Sequence, residues 1–194
     1  ESRYRSPTVR TFEQGAAGCE RSASRTRATK ERLMIRNVSG DILLSKAQAI
    51  AHGVAPNDDF KQGLALAIRE RYPALAKDFR HWCHNTHPKL GTLWVWGTAG
   101  GPRIVQLLTQ DAPTSAGQHP GKAHLDAVNH SLKALHALVE EEGFESLAVP
   151  RLATGVGGLD WDEVAPLITK HLGSLKIPVY VYSTYQKGVA AEES

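Results

Sequence analysis

The chain has 194 residues, of which 41% are hydrophobic and 22% charged, which is enough for one soluble domain with a buried core. No apolar run approaches the roughly eighteen residues that a membrane span needs, and no secretory signal is visible, so we expect no membrane partner. The two cysteines are too few for a disulfide framework, which favours a reducing, cytoplasmic setting.

The positive charge is concentrated at the start of the chain. Residues 1–32 contain eight Arg or Lys and four Glu, a net charge of +4, whereas the whole chain carries +3. The remainder is nearly neutral, so the basic character argues little for nucleic-acid binding. We interpret residues 1–32 as a disordered basic arm or an expression remnant, because the only methionine, Met34, follows them. A phosphate-binding arm is the alternative.

From residue 33 onwards, apolar runs alternate with helical patterns. In chain order, the sequence predicts strands at 33–38 and 47–54, helices at 63–72 and 74–83, strands at 92–96 and 103–109, a helix at 122–142, a strand at 146–149, a helix at 161–172 and a strand at 177–183. This alternation predicts an α/β fold, a three-layer α/β/α sandwich whose mixed, mostly parallel central sheet is covered on both faces. We assign residues 33–185 to this domain and residues 186–194 to a frayed C-terminal tail.

The strongest local signal is the glycine-rich segment 150–160 between a predicted buried strand and a predicted helix. Gly155, Gly157 and Gly158 let backbone N–H groups face a ligand, and the following helix N-terminus favours an anion. The alternative is a plain strand–helix turn capped by Asp160, for which one glycine would suffice. The three glycines therefore favour an anion site at the carboxyl end of a strand.

Two further segments place chemistry at predicted strand ends. Asp41 follows the first strand, and its carboxylate can accept a hydrogen bond from an exocyclic amine such as that of adenine, although a turn aspartate is the alternative. His52 and Gly53 end the second strand, and the polar loop after them leads to a helix that begins near Gly63. Carboxyl ends of parallel strands meet at one sheet edge, which is where ligands bind in this class of fold.

In this order, the three segments resemble a macrodomain, the ADP-ribose-binding fold. The chain is most similar to the class that contains the terminal ADP-ribose protein glycohydrolase and the DNA ADP-ribosyl glycohydrolases of toxin–antitoxin pairs. The first loop of that class reads Gly-x-Gly-Ile-Ala, where residues 61–65 read Lys-Gln-Gly-Leu-Ala. Its second loop reads Pro-x-Leu/Ile-Gly-Cys-Gly-Leu and then Leu-x-Trp, where residues 150–156 read Pro-Arg-Leu-Ala-Thr-Gly-Val and residues 159–161 read Leu-Asp-Trp.

The resemblance implies that ADP-ribose is the ligand and that no cofactor is needed. It implies that Asp41 binds the adenine amine, that the two loops wrap the diphosphate and distal ribose, and that Tyr182 packs near the nucleoside. A core position is the alternative for Tyr182. The ligand-binding residues expected on this basis are Asp41, Ile42, His52, Gly53, Gln62, Gly63, Leu64, Thr109, Leu152, Ala153, Thr154, Gly155, Val156, Gly157, Gly158, Leu159 and Tyr182.

The resemblance also indicates where the chain departs from its relatives. Hydrolases of this class use a lysine just after the strand matching residues 103–109, and this chain has Gln110 there. The protein glycohydrolase also uses an aspartate in the second loop, at the position of Gly157. A covalent lysine mechanism is therefore excluded at that position, and we expect a positioned water, with Gln110, Asp111 and His52 as candidate catalytic residues.

These expectations leave two main functions open. The first is an ADP-ribosyl hydrolase, acting as a monomer on ADP-ribosylated acidic protein side chains or ADP-ribosylated DNA bases. The second is a reader that binds ADP-ribose without catalysis, which the missing lysine and aspartate favour. A third, a zinc-dependent nucleotide enzyme, rests on His81, Cys83, His84 and His87. Because no second ligand pair lies near them in sequence, we expect no metal.

Overall fold

A computed structural model describes residues 34–194 of the chain. In this part, the strands are β1 (Ile35–Gly40), β2 (Ala49–Val54), β3 (Leu93–Gly97), β4 (Arg103–Leu108), β5 (Leu147–Pro150) and β6 (Val179–Tyr185). The helices are α1 (Gly63–Arg71), α2 (Pro73–Thr86), α3 (Leu125–Glu142) and α4 (Trp161–Leu172), and a 3₁₀ turn spans Ile42–Leu44. The N-terminal arm predicted at 1–32 lies outside the described residues.

The six strands form one sheet in the order β1-β6-β5-β2-β4-β3. All neighbours pair in parallel except β3, which runs antiparallel to β4 at one edge. The prediction of a mixed, mostly parallel sheet is confirmed. Because parallel strands are buried on both faces, β2 and β4 are almost continuously apolar. Arg103 begins β4 at its exposed end, and the buried polar exceptions are His52 and Gln106, which face each other in register.

Alternate residues of the central strands enter two separate cores. Ala49, Ala51, Val105 and Leu107 belong to the core beneath α3 and α4. Ile50, Val54 and Ile104 belong to the core beneath α1 and α2, together with Phe60 and Phe79. The helices therefore cover both faces of the sheet, which confirms the predicted three-layer sandwich.

Proline, glycine and capping residues that are visible in the sequence set the boundaries of the helices. Pro73 opens α2, where a missing N–H costs nothing, and Gly143 closes α3 with a left-handed φ of 65°. The Asp160 carboxylate caps α4 by accepting the N–H of Asp162 at 3.0 Å. The capping role considered for Asp160 is thus present together with the glycine-rich loop.

Residues 186–194, which we call the C-terminal segment, pack against the end of β1 and the 3₁₀ turn that follows it. The sequence predicts a frayed tail here, whereas backbone hydrogen bonds hold the segment in the structure, from Gln186 N to Gly40 O at 3.1 Å and from Asp41 N to Val189 O at 2.7 Å. A Cβ at Gly40 would lie 2.8 Å from the backbone of Val189 and Ala191. Glycine at this position therefore permits the close approach of the segment.

Candidate functional site

A cleft of about 470 Å³ opens at the carboxyl edge of the parallel strands. The strand order determines which residues lie where in the cleft. The ends of β1 and β6 form one end of the cleft, those of β5 and β2 its middle, and that of β4 the other end. The cleft brings together most of the residues expected to bind ligand or to act in catalysis. Those that line it are Asp41, Ile42, His52, Gly53, Gln62, Gly63, Leu64, Gln110, Leu152, Ala153, Thr154, Gly155, Val156, Gly157 and Tyr182.

Asp41 and Tyr182 lie at the β1–β6 end of the cleft. The Asp41 carboxylate accepts the N–H of Leu43 at 3.1 Å, which caps the 3₁₀ turn, and the N–H of Gly188 at 3.0 Å. The Tyr182 hydroxyl donates to Glu193 Oε1 at 2.6 Å. Burial, and then the hydrogen bond to Glu193, raise the pKa of Tyr182 well above its ordinary value. The phenol therefore stays protonated.

The loop after β2 is organised by a buried aspartate that the sequence analysis missed. Asp58 accepts the N–H groups of Ala55 at 3.2 Å and Phe60 at 2.9 Å, and burial raises its pKa although these hydrogen bonds oppose the shift. Phe60 takes a left-handed φ of 54° and is fully buried. The loop is thus anchored on both sides of Asp58, and it presents Gln62 and Gly63 to the cleft.

His52 lies beneath this loop and is almost fully buried. Its ring centroid is 6.3 Å from that of Phe60, and its Nε2 has no hydrogen-bond partner among residues 34–194. Burial lowers the pKa of His52 to about 4. The imidazole is therefore neutral at pH 7 and is a weak base.

The three glycines of the loop after β5 differ in whether the structure requires glycine at that position. A Cβ at Gly157 would lie 2.6 Å from Ala153 O and 2.7 Å from Ala123, and Gly158 has a φ of 72°. Both positions therefore need glycine for the loop to fold. Gly155 has no such need, since a Cβ there would meet no described atom within 4 Å. Its missing side chain leaves open space on the cleft.

Gln110 occupies the β4 end of the cleft. The residue is 5% exposed, and its backbone forms a β-bridge with Ala123. The connection from β4 to α3 also approaches the loop after β2, because His119 Nδ1 lies 2.7 Å from Gln62 Nε2. Gln110 therefore lies on a connection that also contacts the loop after β2.

Four residues of the sequence-based site do not line the cleft. Thr109 is fully buried behind Gly53, whose Cβ would lie 2.8 Å from Thr109 Oγ1. Asp111 is turned outward, where His124 Nε2 lies 2.9 Å from Asp111 Oδ2. Gly158 and Leu159 lie past the bend of the second loop, and Leu159 packs against the core below α4.

Some lining residues were not anticipated from the sequence. They are Gly40, Asp58, Asp59, Ala65, Ala67, Pro120, Pro150, Arg151, Ser183 and Tyr185. Arg151 stands within the motif that carries the resemblance, and its guanidinium lies 5.1 Å from the Trp161 ring centroid. Tyr185 ends β6 two residues beyond the predicted strand. No sequence motif marks Asp58, because its role in holding the loop after β2 depends on its burial.

The residues that suggested zinc are not arranged as one ligand set. Cys83 is 1% exposed and lies in the core with Phe79, whereas His81 contacts Asn85 on the exposed side of α2. Across residues 34–194, no group of three or more potential ligands could hold a metal ion. The same residues contain no helix that is both long and apolar enough to cross a membrane.

Together, the fold and the cleft define an α/β domain that presents loops at the carboxyl ends of parallel strands. Residues 47–168 match the family model of the Macro domain, and the chain belongs to that family. The resemblance seen in the sequence is thereby confirmed.

Comparison with known proteins gives matches of the same kind. A protein of Mycobacterium tuberculosis named DNA ADP-ribosyl glycohydrolase is 31% identical over 137 residues, which cover 68% of this chain and 36% of that protein. One of Thermus aquaticus with the same name is 28% identical over 151 residues, covering 77% and 41%. This chain thus spans about two fifths of the length of these relatives.

Solved structures agree on the fold. The macrodomain of Mycobacterium tuberculosis DarG aligns with a TM-score of 0.69 at 26% identity, covering 77% of this chain and 97% of that one. The structure described as Thermosipho africanus DarTG in complex with ADP-ribose aligns with a TM-score of 0.69 at 22% identity, covering 80% and 42%. The latter likeness concerns the fold alone.

Proposed function

We propose that the cleft binds ADP-ribose and that the domain hydrolyses the bond between ADP-ribose and a modified macromolecule. The observation that carries this proposal is the order of chemistry along one sheet edge. A carboxylate suited to a nucleobase amine, Asp41, lies at one end. The open glycine loop around Gly155 follows, and the buried amide of Gln110 lies at the other end.

The names of the relatives favour DNA as the modified macromolecule. Two of the matches described above carry the name DNA ADP-ribosyl glycohydrolase. The ligand of one solved structure with this fold is ADP-ribose. ADP-ribosylated acidic side chains of proteins are the second substrate class to be tested.

The mechanism we propose uses water in place of a protein nucleophile. Gln110 can orient a water molecule or the distal ribose, but an amide cannot accept a proton at neutral pH. In this mechanism the ligand's own phosphate serves as a weak base: the water oxygen bonds to the anomeric carbon of the distal ribose, the bond to the modified group breaks, and the water proton passes through the phosphate to that leaving group. Orientation of the one water supplies much of the rate. We assign proton transfer neither to His52, because it is almost fully buried beneath the loop after β2, nor to Asp111, because its carboxylate is turned outward toward His124.

A non-catalytic reader is the second candidate, and a specific observation favours it. The positions of the class lysine and aspartate hold Gln110 and Gly157, neither of which can form a covalent adduct or transfer a proton. The deciding experiment measures ADP-ribose release from a thymidine-linked ADP-ribosylated oligonucleotide and a glutamate-linked ADP-ribosylated peptide. Release above the Gly155→Glu control supports the hydrolase. Binding without release from either substrate supports the reader.

A further inference from the structure

The C-terminal segment contacts the 3₁₀ turn after β1 at both of its ends. At the start of the turn, the N–H of Gly188 donates to Asp41 Oδ2 at 3.0 Å. At its end, the Glu193 carboxylate accepts the Ser45 hydroxyl and, at 3.0 Å, the N–H of Lys46. The turn that presents Asp41 and Ile42 to the cleft is thus held from outside by a segment that is remote in sequence.

Glu193 also fixes the aromatic side chains of β6. The Tyr182 hydroxyl donates to Glu193 Oε1 at 2.6 Å, and the Tyr180 hydroxyl donates to the Glu193 carbonyl oxygen at 2.8 Å. A tyrosine hydroxyl has one hydrogen, so Tyr182 has no donor left for a ligand. What Tyr182 offers the cleft is the ring, which suits stacking or edge contact with a base.

The C-terminal segment does not fill the cleft. With the segment in place, the cleft still has a volume of about 470 Å³, and Asp41, Ile42 and Tyr182 remain in its lining. None of the described residues 186–194 belongs to that lining. The segment therefore lies behind the groups that face a ligand, which is the position of a support and not of a plug.

We infer that Glu193 is a positioning residue for nucleobase recognition. By holding Tyr182 and the end of the 3₁₀ turn together, it fixes the aromatic ring and the Asp41 carboxylate in one arrangement before ligand arrives. Preorganisation of this kind contributes to affinity because the ligand need not order the groups that bind it. The inference rests on the proposed function, since it concerns the end of the cleft where adenine would bind.

The experiment compares two nucleotides and three variants by calorimetry. ADP-ribose carries the exocyclic amine that would donate a hydrogen bond to Asp41, and inosine diphosphate ribose lacks this amine. The variants are Glu193→Ala, Glu193→Gln and, as matched control, Glu192→Ala, which changes the exposed neighbouring carboxylate. A circular dichroism spectrum establishes that each variant is folded.

We expect Glu193→Ala to weaken ADP-ribose binding by about tenfold, as loss of charge-assisted contacts would. The preference for ADP-ribose over the inosine nucleotide should shrink, because only the amine depends on Asp41. Glu193→Gln should be intermediate, since its amide oxygen still accepts from Tyr182 but its NH₂ cannot accept from Lys46. Glu192→Ala should match the wild type.

Two results would overturn the inference while leaving the proposed function intact. One is a Glu193→Ala domain with the affinity and base preference of the control. The other is tighter binding by that variant, which would make the segment a competitor of the ligand. If the alanine variant unfolds, the glutamine variant decides by the same comparison. A wild-type domain that binds neither nucleotide refutes the proposed function and the inference with it.

Discussion

Asp41 has hydrogen-bonding capacity to spare although two backbone N–H groups already contact it. Leu43 donates to Oδ1 and Gly188 donates to Oδ2, one bond to each oxygen. A carboxylate oxygen accepts up to two hydrogen bonds, so each can take a further donor. The existing contacts orient the carboxylate, and the amine of a base can approach it from the cleft.

We predict that Asp41→Ala weakens ADP-ribose binding at least tenfold, roughly 1.4 kcal/mol, through loss of a charge-assisted hydrogen bond. Alanine also removes the cap of the 3₁₀ turn, so Asp41→Asn is the control that retains one acceptor oxygen and should bind with intermediate affinity. Calorimetry on both variants tests the prediction. An alanine variant that binds as tightly as the wild type would show that the base lies elsewhere.

Gln110 is the residue on which turnover should depend most. We predict that Gln110→Ala lowers the rate of ADP-ribose release about tenfold to a hundredfold and leaves the affinity for ADP-ribose nearly unchanged, since a water-orienting group acts mainly in the transition state. Single-turnover kinetics and calorimetry separate the two effects. Equal losses in rate and affinity would make Gln110 a ligand-binding residue only.

The same mechanism predicts that borohydride traps no adduct during turnover, because no lysine stands at the position of Gln110 to form a Schiff base. Mass spectrometry of the protein after reduction gives the readout. A covalent adduct of ADP-ribose mass would contradict a water-mediated reaction.

At the scale of elements, the local periodicity of apolar residues predicted the strands and helices. Each predicted strand and helix has a counterpart whose bounds shift by a few residues, because alternation and helical spacing of apolar residues reflect burial directly. The 3₁₀ turn Ile42–Leu44 was missed since three apolar residues carry no period. The C-terminal segment was missed for another reason. Its attachment depends on backbone bonds to β1 and on Glu193, which are contacts far apart in sequence.

The second loop illustrates the same division between local and distant causes. Its glycines were read as one anion-binding signal, whereas Gly157 and Gly158 are needed by packing and by backbone conformation. Burial against Ala123 cannot be seen in the sequence of the loop, because Ala123 belongs to the connection before α3. Gly155 alone carries the argument for ligand access.

We predict that Gly155→Glu abolishes ADP-ribose binding without unfolding the domain. No atom beyond the adjacent residues lies within 4 Å of the added Cβ, so the substitution meets no clash at Cβ, and its carboxylate would repel the ligand phosphates. Gly155→Ala is the matched control and should retain measurable binding. Calorimetry and circular dichroism test both statements, and persistent binding by a folded glutamate variant would move the phosphate site elsewhere.

At the scale of the whole molecule, two polar side chains lie on the buried faces of the central strands. His52 and Gln106 are cross-strand neighbours on β2 and β4, and both lack hydrogen-bond partners for buried side-chain atoms within the described chain. A buried imidazole resists protonation because the charged form loses its hydration. The stability of the entire fold should therefore respond to pH through His52.

We predict that folding stability falls as the pH is lowered from about 6.5 to about 4, because the unfolded chain binds a proton at His52 that the folded chain excludes. His52 contributes a loss of about 2 kcal/mol between pH 7 and pH 4.5 by this linkage. Asp58 acts in the opposite direction, since its raised pKa means that the folded chain gains its proton first. Urea denaturation at both pH values should therefore be compared between the wild type and His52→Leu, which keeps Asp58 and removes only the imidazole. The leucine variant should lose less stability on acidification by about that amount.

Gln106→Leu, which alters the neighbouring buried polar group without removing a titrating one, should shift stability equally at both pH values. If His52→Leu shows the same pH dependence as Gln106→Leu, the buried histidine is not what couples this fold to pH.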